Sequence, residues 1–193
     1  SLDFTNIYFL LLNYYTLKAS NKIAQERGES FHNFENSKYA DGSYFDKYTE
    51  QVWAPKYDKV RALFDGIHIP TQADWEALKT SVMKDGLYHQ NRMAVAPNGS
   101  ISYINDTSAS LQPIVNRIED RQEKKIGTIY YPAPDLSNDT MTYYQSAYDI
   151  DMRKVIDVYA AAQQHVDQGM AMTLFMRSTI PAGLYPWKDE PIK

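Results

Sequence analysis

Cysteine is absent from the 193-residue sequence. A chain without thiols forms no disulfide, offers no thiolate nucleophile and cannot ligate a metal through sulfur. The four histidines, His32, His68, His89 and His165, lack the i, i+4 spacing of a helical metal-binding pair. The sequence therefore predicts no metal site and no thiol chemistry within this chain.

Basic clusters and membrane-length apolar runs are missing as well. The formal net charge is −4 and no run of Lys or Arg occurs, whereas nucleic-acid binding needs a clustered basic face. The apolar run from Ile7 to Leu12 is too short to cross a bilayer and stops at Asn13, and no signal peptide is visible. We therefore predict no nucleic-acid partner, no membrane partner and a cytoplasmic location.

The remaining composition is that of a folded protein. Apolar residues make up 44% of the chain, which is enough to fill a core at this length. Tyrosine is abundant, with 16 residues, and most of these rings are expected to be half-buried with wet hydroxyls. The chain starts at Ser1 without Met and stops at Lys193 within a charged stretch. We expect a piece of a larger protein, with residues 1–193 forming a single partial domain.

Three stretches have helical periodicity. Apolar residues recur at helical spacing from Leu2 to about Arg27, and Gly28 stands where a helix ends. Thr71 with Asp74 approximates the capping box of a second helix, and a third is predicted between Asp149 and Gly169. The polar residues of the first helix are expected to form a solvated face: Asn13, Lys18, Asn21, Lys22, Gln25 and Glu26.

The other segments predict loops and strands. Phe31 to Tyr57 is rich in aromatic rings without a sustained period, which predicts a surface excursion with short helical turns, anchored by its rings. Two apolar runs, Met93–Ala96 and Met170–Met176, predict buried strands. The pattern from Ile114 to Tyr131 predicts a hairpin containing the charged run Glu119 to Lys125. Helices and strands alternate, so the predicted fold class is α/β, although too few strands are visible to close a sheet.

One stretch carries a chemical signal, Pro97 to Ser102, with the sequence Pro-Asn-Gly-Ser-Ile-Ser. The proline ends the preceding apolar run, and Asn98 with Gly99 permits the positive φ of a tight turn. Ser100 and Ser102 then offer hydroxyls where a helix could begin, beside unpaired backbone N–H groups that suit a phosphate. The Gly-Lys-Ser/Thr of a Walker motif does not follow. An ordinary turn with a capped helix behind it remains the alternative to a phosphate cradle.

The segment from Asn91 to Ser110 is distinctive enough to indicate a protein family. This segment closely resembles the C-terminal half of the large subunit of class Ib ribonucleotide reductase. Other segments are similar to the same subunit in the same order, and the resemblance covers essentially the whole chain. These segments are Asn13 to Asn21, Phe34 to Ala40, Asp149 to Ala161 and His165 to Gly169.

The catalytic subunit of that family is a ten-stranded α/β barrel. The resemblance implies that this chain is the C-terminal part of such a barrel and is incomplete on its own. The family reduces ribonucleoside diphosphates, and the substrate's diphosphate sits in a loop at a helix N-terminus. The family usually has Thr at the position of Asn98. By resemblance, the substrate diphosphate-binding residues of this chain are Pro97, Asn98, Gly99, Ser100, Ile101 and Ser102.

The family's radical chemistry is not carried by this sequence. The Asn-x-Cys-x-Glu segment that supplies the radical cysteine and the general base is absent, so the resemblance implies no catalytic residue here. It also implies no cofactor bound by this chain, because the family relies on a dimetal-tyrosyl radical in a separate small subunit and on a thiol reductant. Three adjacent tyrosine pairs do not lie where the family's radical relay lies and are assigned to packing: Tyr14-Tyr15, Tyr130-Tyr131 and Tyr143-Tyr144.

The resemblance also implies partners: the remainder of the large subunit, the small subunit and a ribonucleoside diphosphate, with a homodimer in the parent enzyme. The leading hypothesis is a piece that supplies the diphosphate loop to an active site completed elsewhere and is inactive alone. Two alternatives stay open. One is a non-catalytic phosphate-binding or assembly module derived from that subunit. The other is a fragment whose exposed barrel-facing surface self-associates.

Overall fold

A computed structural model describes residues 2–123 and 127–176 of the chain. The chain divides into two compact units. The first unit consists of Ser1–Ala94 with Ala160–Gly169, and the second consists of Val95–Tyr159 with Met170–Lys193. That residues 1–193 form one partial domain stays a prediction.

Helix α1, Leu2–Arg27, runs through the first unit for 26 residues. It ends at Gly28 as predicted, because the φ of 68° at this residue is costly for any side chain larger than hydrogen. The N–H of Gly28 donates to the carbonyl of Ala24 at 2.8 Å and closes the last turn. The inner side of the helix is apolar, with Ile7 and Leu10 fully buried.

The predicted solvated face of α1 is wrong at two positions. Asn13 and Asn21 are only 0% and 4% exposed. Both amides are buried because they have partners from other elements: Asn13 Nδ2 donates to Tyr48 Oη at 2.9 Å, and Asn21 Nδ2 donates to the carbonyl of Gly86 at 2.8 Å. The polar residues that are exposed are Lys18, Lys22, Gln25 and Glu26.

The aromatic segment from Phe31 to Tyr57 is anchored by its rings, as predicted. It contains two 3-10 turns and the short helix α2, Asp46–Thr49. Phe45 and Tyr48 are fully buried and belong to the core of the first unit. The segment is therefore part of that core as well as a connection across its surface.

Helix α3, Asp58–Leu63, precedes the better capped helix α4, Gln72–Asp85. The predicted capping box is present: the N–H of Asp74 donates to Thr71 Oγ1 at 3.2 Å, and the N–H of Thr71 donates to the Asp74 carboxylate at 2.8 Å. Such a cap stabilises a helix by about 1 kcal/mol. Trp75 on α4 is 1% exposed and stacks on a ring of α2, with centroids 4.0 Å apart.

The second unit begins its regular structure with helix α5, Gly99–Ile104, followed by an antiparallel hairpin of β1, Ile118–Glu123, and β2, Gly127–Pro132. The hairpin confirms the predicted pairing, while residues 124 and 125 of the predicted charged run lie outside the described residues. Helix α6, Met152–Gln163, lies within the third predicted helical stretch.

The two predicted apolar strands do not form. Met93–Ala96 and Met170–Met176 are joined only by a single parallel bridge between Val95 and Met170. A parallel pair is stable when further strands and covering helices extend it, and within the described ranges no strand pairs with either stretch. The described chain is helix-rich with one two-stranded sheet, and the wider α/β architecture is not complete within it.

The three adjacent tyrosine pairs are only partly packed. Tyr14 is 5% exposed, and its ring packs edge-on against Trp75 with centroids 5.0 Å apart. Tyr130 and Tyr143 are 68% and 83% exposed, so their assignment to packing is wrong. Tyr130 lies on β2, where successive side chains alternate between the two faces of the hairpin and one face remains open.

Candidate functional site

The predicted diphosphate loop lies at the start of helix α5. Asn98 is the residue before the helix, and Gly99 is its first residue. Neither has positive φ, with Asn98 at −125°, so the predicted tight turn at these two positions is wrong. The Asn98 side chain instead holds the following loop, because its Oδ1 accepts from the N–H of Ser110 at 2.9 Å.

The loop residues have different exposures. Pro97 and Asn98 are exposed, and Ile101 is 59% exposed. Ser102 is buried at 3%, and its hydroxyl donates to the carbonyl of Gly99 at 2.6 Å. The Ser102 hydroxyl is therefore engaged within the helix. Ser100 lies in α5, and its side chain is outside the description.

Gly99 leaves open space at the helix start. A Cβ built at this position meets no heavy atom within 4 Å. The first N–H groups of a helix have no partner inside that helix and carry the positive end of its dipole. The side-chain position of Gly99 is therefore open, and a larger residue there would occupy space beside the helix start.

A cleft of about 610 Å³ lies against this helix start within the second unit. Gly99 and Ser102 form part of its wall, and Asp106, Glu119 and Asp120 also line it. No Lys or Arg is among the described residues lining the cleft. Because these carboxylates repel a negatively charged ligand, the loop on its own is a weak anion site.

A buried polar chain in the first unit was missed by sequence reasoning. Asn13 donates to Tyr48 Oη at 2.9 Å, and that hydroxyl lies 3.0 Å from His165 Nδ1. His165 Nε2 lies 3.0 Å from Asn6 Oδ1. Since an amide oxygen only accepts, Nε2 carries the proton and Nδ1 accepts from Tyr48. Burial, together with the nearby charge of Lys47, lowers the pKa of His165 to about 3, so the ring is neutral.

A buried ion pair continues this polar chain. Arg92 and Asp167 have side chains that are 2% and 8% exposed, with Nη2 and Oδ2 3.2 Å apart. Arg92 Nη1 also donates to Asn13 Oδ1 at 3.1 Å. The Asp167 carboxylate accepts the backbone N–H groups of Arg92 and Met93, both at 2.9 Å. The pair therefore fixes the backbone at residues 92–93.

One sequence signal for this network was available. Asn13 falls among the apolar residues Leu10, Tyr14 and Leu17, on the buried side of α1. A polar residue at such a position is buried only with hydrogen-bond partners, so it indicates an internal network. The identities of the distant partners, His165 and Asp167, had no local signal.

Comparisons with known proteins agree with the resemblance noted in the sequence. The family described as "Ribonucleotide reductase, barrel domain" matches residues 1–184. The chain is 47% identical over 178 residues to the ribonucleoside-diphosphate reductase subunit alpha of Bacillus subtilis (strain 168), a match covering 92% of this chain and 25% of that protein. It is 50% identical over 182 residues to the Mycoplasma genitalium subunit alpha, covering 91% of this chain and 25% of the relative.

A more distant relative gives the same result. The ribonucleoside-diphosphate reductase subunit alpha of Helicobacter pylori is 31% identical over 167 residues, covering 86% of this chain and 20% of that protein. The chain thus spans a quarter or less of the length of these relatives. Since the family match extends over nearly all of the sequence, the chain belongs to the ribonucleotide reductase barrel-domain family.

Proposed function

We propose that this chain is part of the large subunit of a class Ib ribonucleoside-diphosphate reductase, an oxidoreductase that makes deoxyribonucleoside diphosphates for DNA synthesis. Family membership supports the general assignment. The class rests on the resemblance of the segment from Asn91 to Ser110. The complete subunit would be the ten-stranded α/β barrel to which this chain contributes its C-terminal part.

The role proposed for this piece is to hold the substrate's diphosphate at Pro97 to Ser102. The observation that carries this proposal is the helix start at Gly99, where a Cβ would meet nothing within 4 Å and where Gly99 and Ser102 line the cleft. The first N–H groups of a helix have no partner inside that helix, which suits a phosphate. The acidic residues on the cleft wall make this binding weak. We therefore propose that positive charge from the rest of the subunit completes the site.

We propose that the radical and reduction chemistry is carried out by other parts of the enzyme. Without Cys, the chain supplies neither a thiyl radical nor a reducing pair, so it is inactive alone. The proposed partners are the remainder of the large subunit, a small subunit carrying the dimetal-tyrosyl radical, and a thiol reductant. The proposed location is cytoplasmic, and the parent enzyme is proposed to be a homodimer.

Complementation tests the activity. The chain is coexpressed with the remaining part of the Bacillus subtilis subunit alpha, and a small subunit and reductant are added. CDP reduction is then measured. We expect turnover from the complemented sample and none from the chain alone. No turnover, under conditions where the intact Bacillus subtilis enzyme is active, would contradict the proposal that this chain completes a reductase subunit.

Titration with CDP tests the loop in the isolated chain. We expect weak binding that Gly99→Val lowers at least tenfold, about 1.4 kcal/mol, because the added methyl groups occupy the space through which the phosphate reaches the backbone. Gly169→Val is the matched control, since Gly169 is also open and lies outside the loop. Equal binding of CDP by wild type and Gly99→Val would contradict the proposal that Pro97 to Ser102 bind the diphosphate.

The absence of Cys favours one alternative, a non-catalytic phosphate-binding or assembly module derived from the same subunit. This reading predicts CDP or inorganic phosphate binding that depends on Gly99, with no turnover in the complemented sample. The two experiments above therefore separate it from the leading proposal.

A further inference from the structure

Helix α1 has a second apolar face, which the described residues of the first unit leave exposed. Phe4, Tyr8, Leu12 and Tyr15 are 38%, 45%, 37% and 42% exposed, and Ala19 is exposed as well. Their spacing of three or four residues places them on one side of the helix. At 1.5 Å per residue this row is about 22 Å long. We call these five residues the α1 outer stripe.

The opposite side of α1 is already packed. Ile7, Leu10 and Leu17 are fully buried there. No charged residue occurs from Phe4 to Leu17, so this part of the helix is apolar on both sides. A helix at the surface of a globular protein normally has a polar outer face, and one that is apolar all round is normally buried all round. We therefore expect another apolar surface to cover the α1 outer stripe.

The stripe ends where α1 becomes polar. Lys22 and Glu26 continue the same spacing, with side chains 74% and 62% exposed and their charged atoms 3.7 Å apart. Solvated charges at these positions mark the limit of the apolar face. The surface expected to be covered thus extends from Phe4 to Ala19 and stops before Lys22.

The segment after α3 lies beside the stripe and widens it. Phe4 stacks on Phe64 with ring centroids 5.4 Å apart, and Tyr15 Oη donates to the carbonyl of His68 at 3.0 Å. Ile67, between these two contact points in the sequence, is 49% exposed. Exposed apolar surface that continues across neighbouring elements is typical of an interaction site.

We propose that the α1 outer stripe is the docking surface for the rest of a reductase large subunit, which presents an uncharged apolar face to it. This inference rests on the proposed function. The Bacillus subtilis and Mycoplasma genitalium relatives are about four times as long as the region they share with this chain, so most of such a subunit lies outside it. Because the stripe carries no charge, the partner is held by buried apolar area instead of ion pairs.

A bilayer is a poorer occupant of the stripe. Within residues 2–123 and 127–176, no helix is both long and apolar enough to cross a membrane. The basic residues of α1 beside the stripe, Lys18 and Lys22, lie only at its C-terminal end, whereas helices that lie on membranes carry basic residues along the apolar face.

Copurification tests the docking surface. The tagged full chain is coexpressed with the remaining part of the Bacillus subtilis subunit alpha, and recovery of that polypeptide is measured at low and high NaCl. We expect a complex at both salt concentrations, because salt screens ion pairs and does not weaken apolar burial. Leu12→Glu should lower recovery at least tenfold, while Lys22→Glu, the matched control on the polar end of α1, leaves it unchanged.

Several results overturn the proposal. These are no complex with the wild-type chain, a complex lost at high salt, a complex that Leu12→Glu retains, a stable dimer of the chain that Leu12→Glu dissolves, and binding to lipid vesicles. Circular dichroism and the thermal midpoint establish that each variant folds. If Leu12→Glu does not fold, Leu12→Gln and Tyr8→Gln are measured in its place. Retention of the complex by both variants would also contradict the proposed docking surface.

CDP reduction by the same complexes separates this inference from the proposed function. A complex that forms, depends on Leu12 and gives no turnover supports the docking surface and counts against the reductase assignment. Turnover that Leu12→Glu leaves intact counts against the docking surface alone.

Discussion

The two compact units differ in how they are held together. The first unit has a continuous core in which helices α1 and α4 and the rings of the aromatic segment are buried together. In the second unit, the cluster formed by Met152, Val155 and Tyr159 is surrounded by partly buried side chains. Buried apolar area supplies most of the folding free energy. Among the described residues, the first unit therefore has the larger buried core, and the second, which carries the predicted diphosphate loop, has the smaller one.

The largest expected effect comes from opening the aromatic core. Trp75→Ala removes the ring stacked on Tyr48 and should lower the free energy of unfolding by about 4 kcal/mol. Met152→Ala in the second unit should cost about 2 kcal/mol, because neighbours such as Leu111 and Leu174 are only partly buried. Urea unfolding followed by circular dichroism measures both. Equal losses of unfolding free energy in the two variants would contradict the expectation that the first unit has the more tightly packed core.

The buried ion pair of the first unit gives the next largest effect. Asp167→Asn leaves Arg92 charged and buried without its counter-ion, which should cost about 3 kcal/mol. Adding Arg92→Met to this variant removes the stranded charge and should restore part of the stability. Urea midpoints of the single and double variants measure this. If the double variant is less stable than Asp167→Asn, the loss comes from the broken backbone contacts of Asp167 instead of the stranded charge.

The pH dependence should come from His165. Its pKa of about 3 in the folded chain lies below the ordinary value of 6.5, so below pH 6.5 the unfolded state binds a proton that the folded state does not. Stability therefore falls as the pH drops from 6.5 towards 3, by about 2 kcal/mol between pH 7 and pH 5. His165→Gln should remove this slope, and urea titrations at the two pH values measure it. An unchanged slope would show that the ring is protonated in the folded chain.

The smallest expected effects come from two caps, one in each unit. Thr71→Ala breaks the capping box of α4 and should cost about 1 kcal/mol. Ser146→Ala removes the hydroxyl that accepts from the N–H of Tyr148 and donates to the carbonyl of Val115, which should cost about 0.5 kcal/mol. Thermal midpoints measure both. A larger loss at Ser146 would show that the second unit has more stability of its own than its core suggests.

Local patterns predicted the local elements. The end of α1 at Gly28, the capping box at Thr71 and the hairpin of β1 and β2 each depend on a few neighbouring residues, and all three are present. The strands at Met93–Ala96 and Met170–Met176 were predicted and do not form, because a strand requires partners and its own sequence does not supply them. The burial of Asn13 depends on Tyr48 and Arg92, which lie far from it in the sequence, and the periodicity of α1 carries no information about them.

The candidate loop was predictable in position and less so in geometry. The helix start follows from Pro97 and the small residues after it, and α5 begins there. The positive φ expected at Asn98 and Gly99 was wrong: Asn98 has a φ of −125°, and its side chain accepts the N–H of Ser110. The sequence does not show whether a hydroxyl is available to a ligand. The Ser102 hydroxyl is not, because it donates to the carbonyl of Gly99.

The hydrogen bonds of His165 and Asp167 have a consequence for synthesis on the ribosome. The first unit is built mainly from residues up to Ala94, yet the groups that neutralise Arg92 and pair with Tyr48 lie at 165 and 167. At about 5–20 residues per second, translation of the intervening segment takes several seconds. During that interval Arg92 lacks the carboxylate with which it pairs in the folded chain. The first unit is therefore expected to reach its final stability only when translation has passed Asp167.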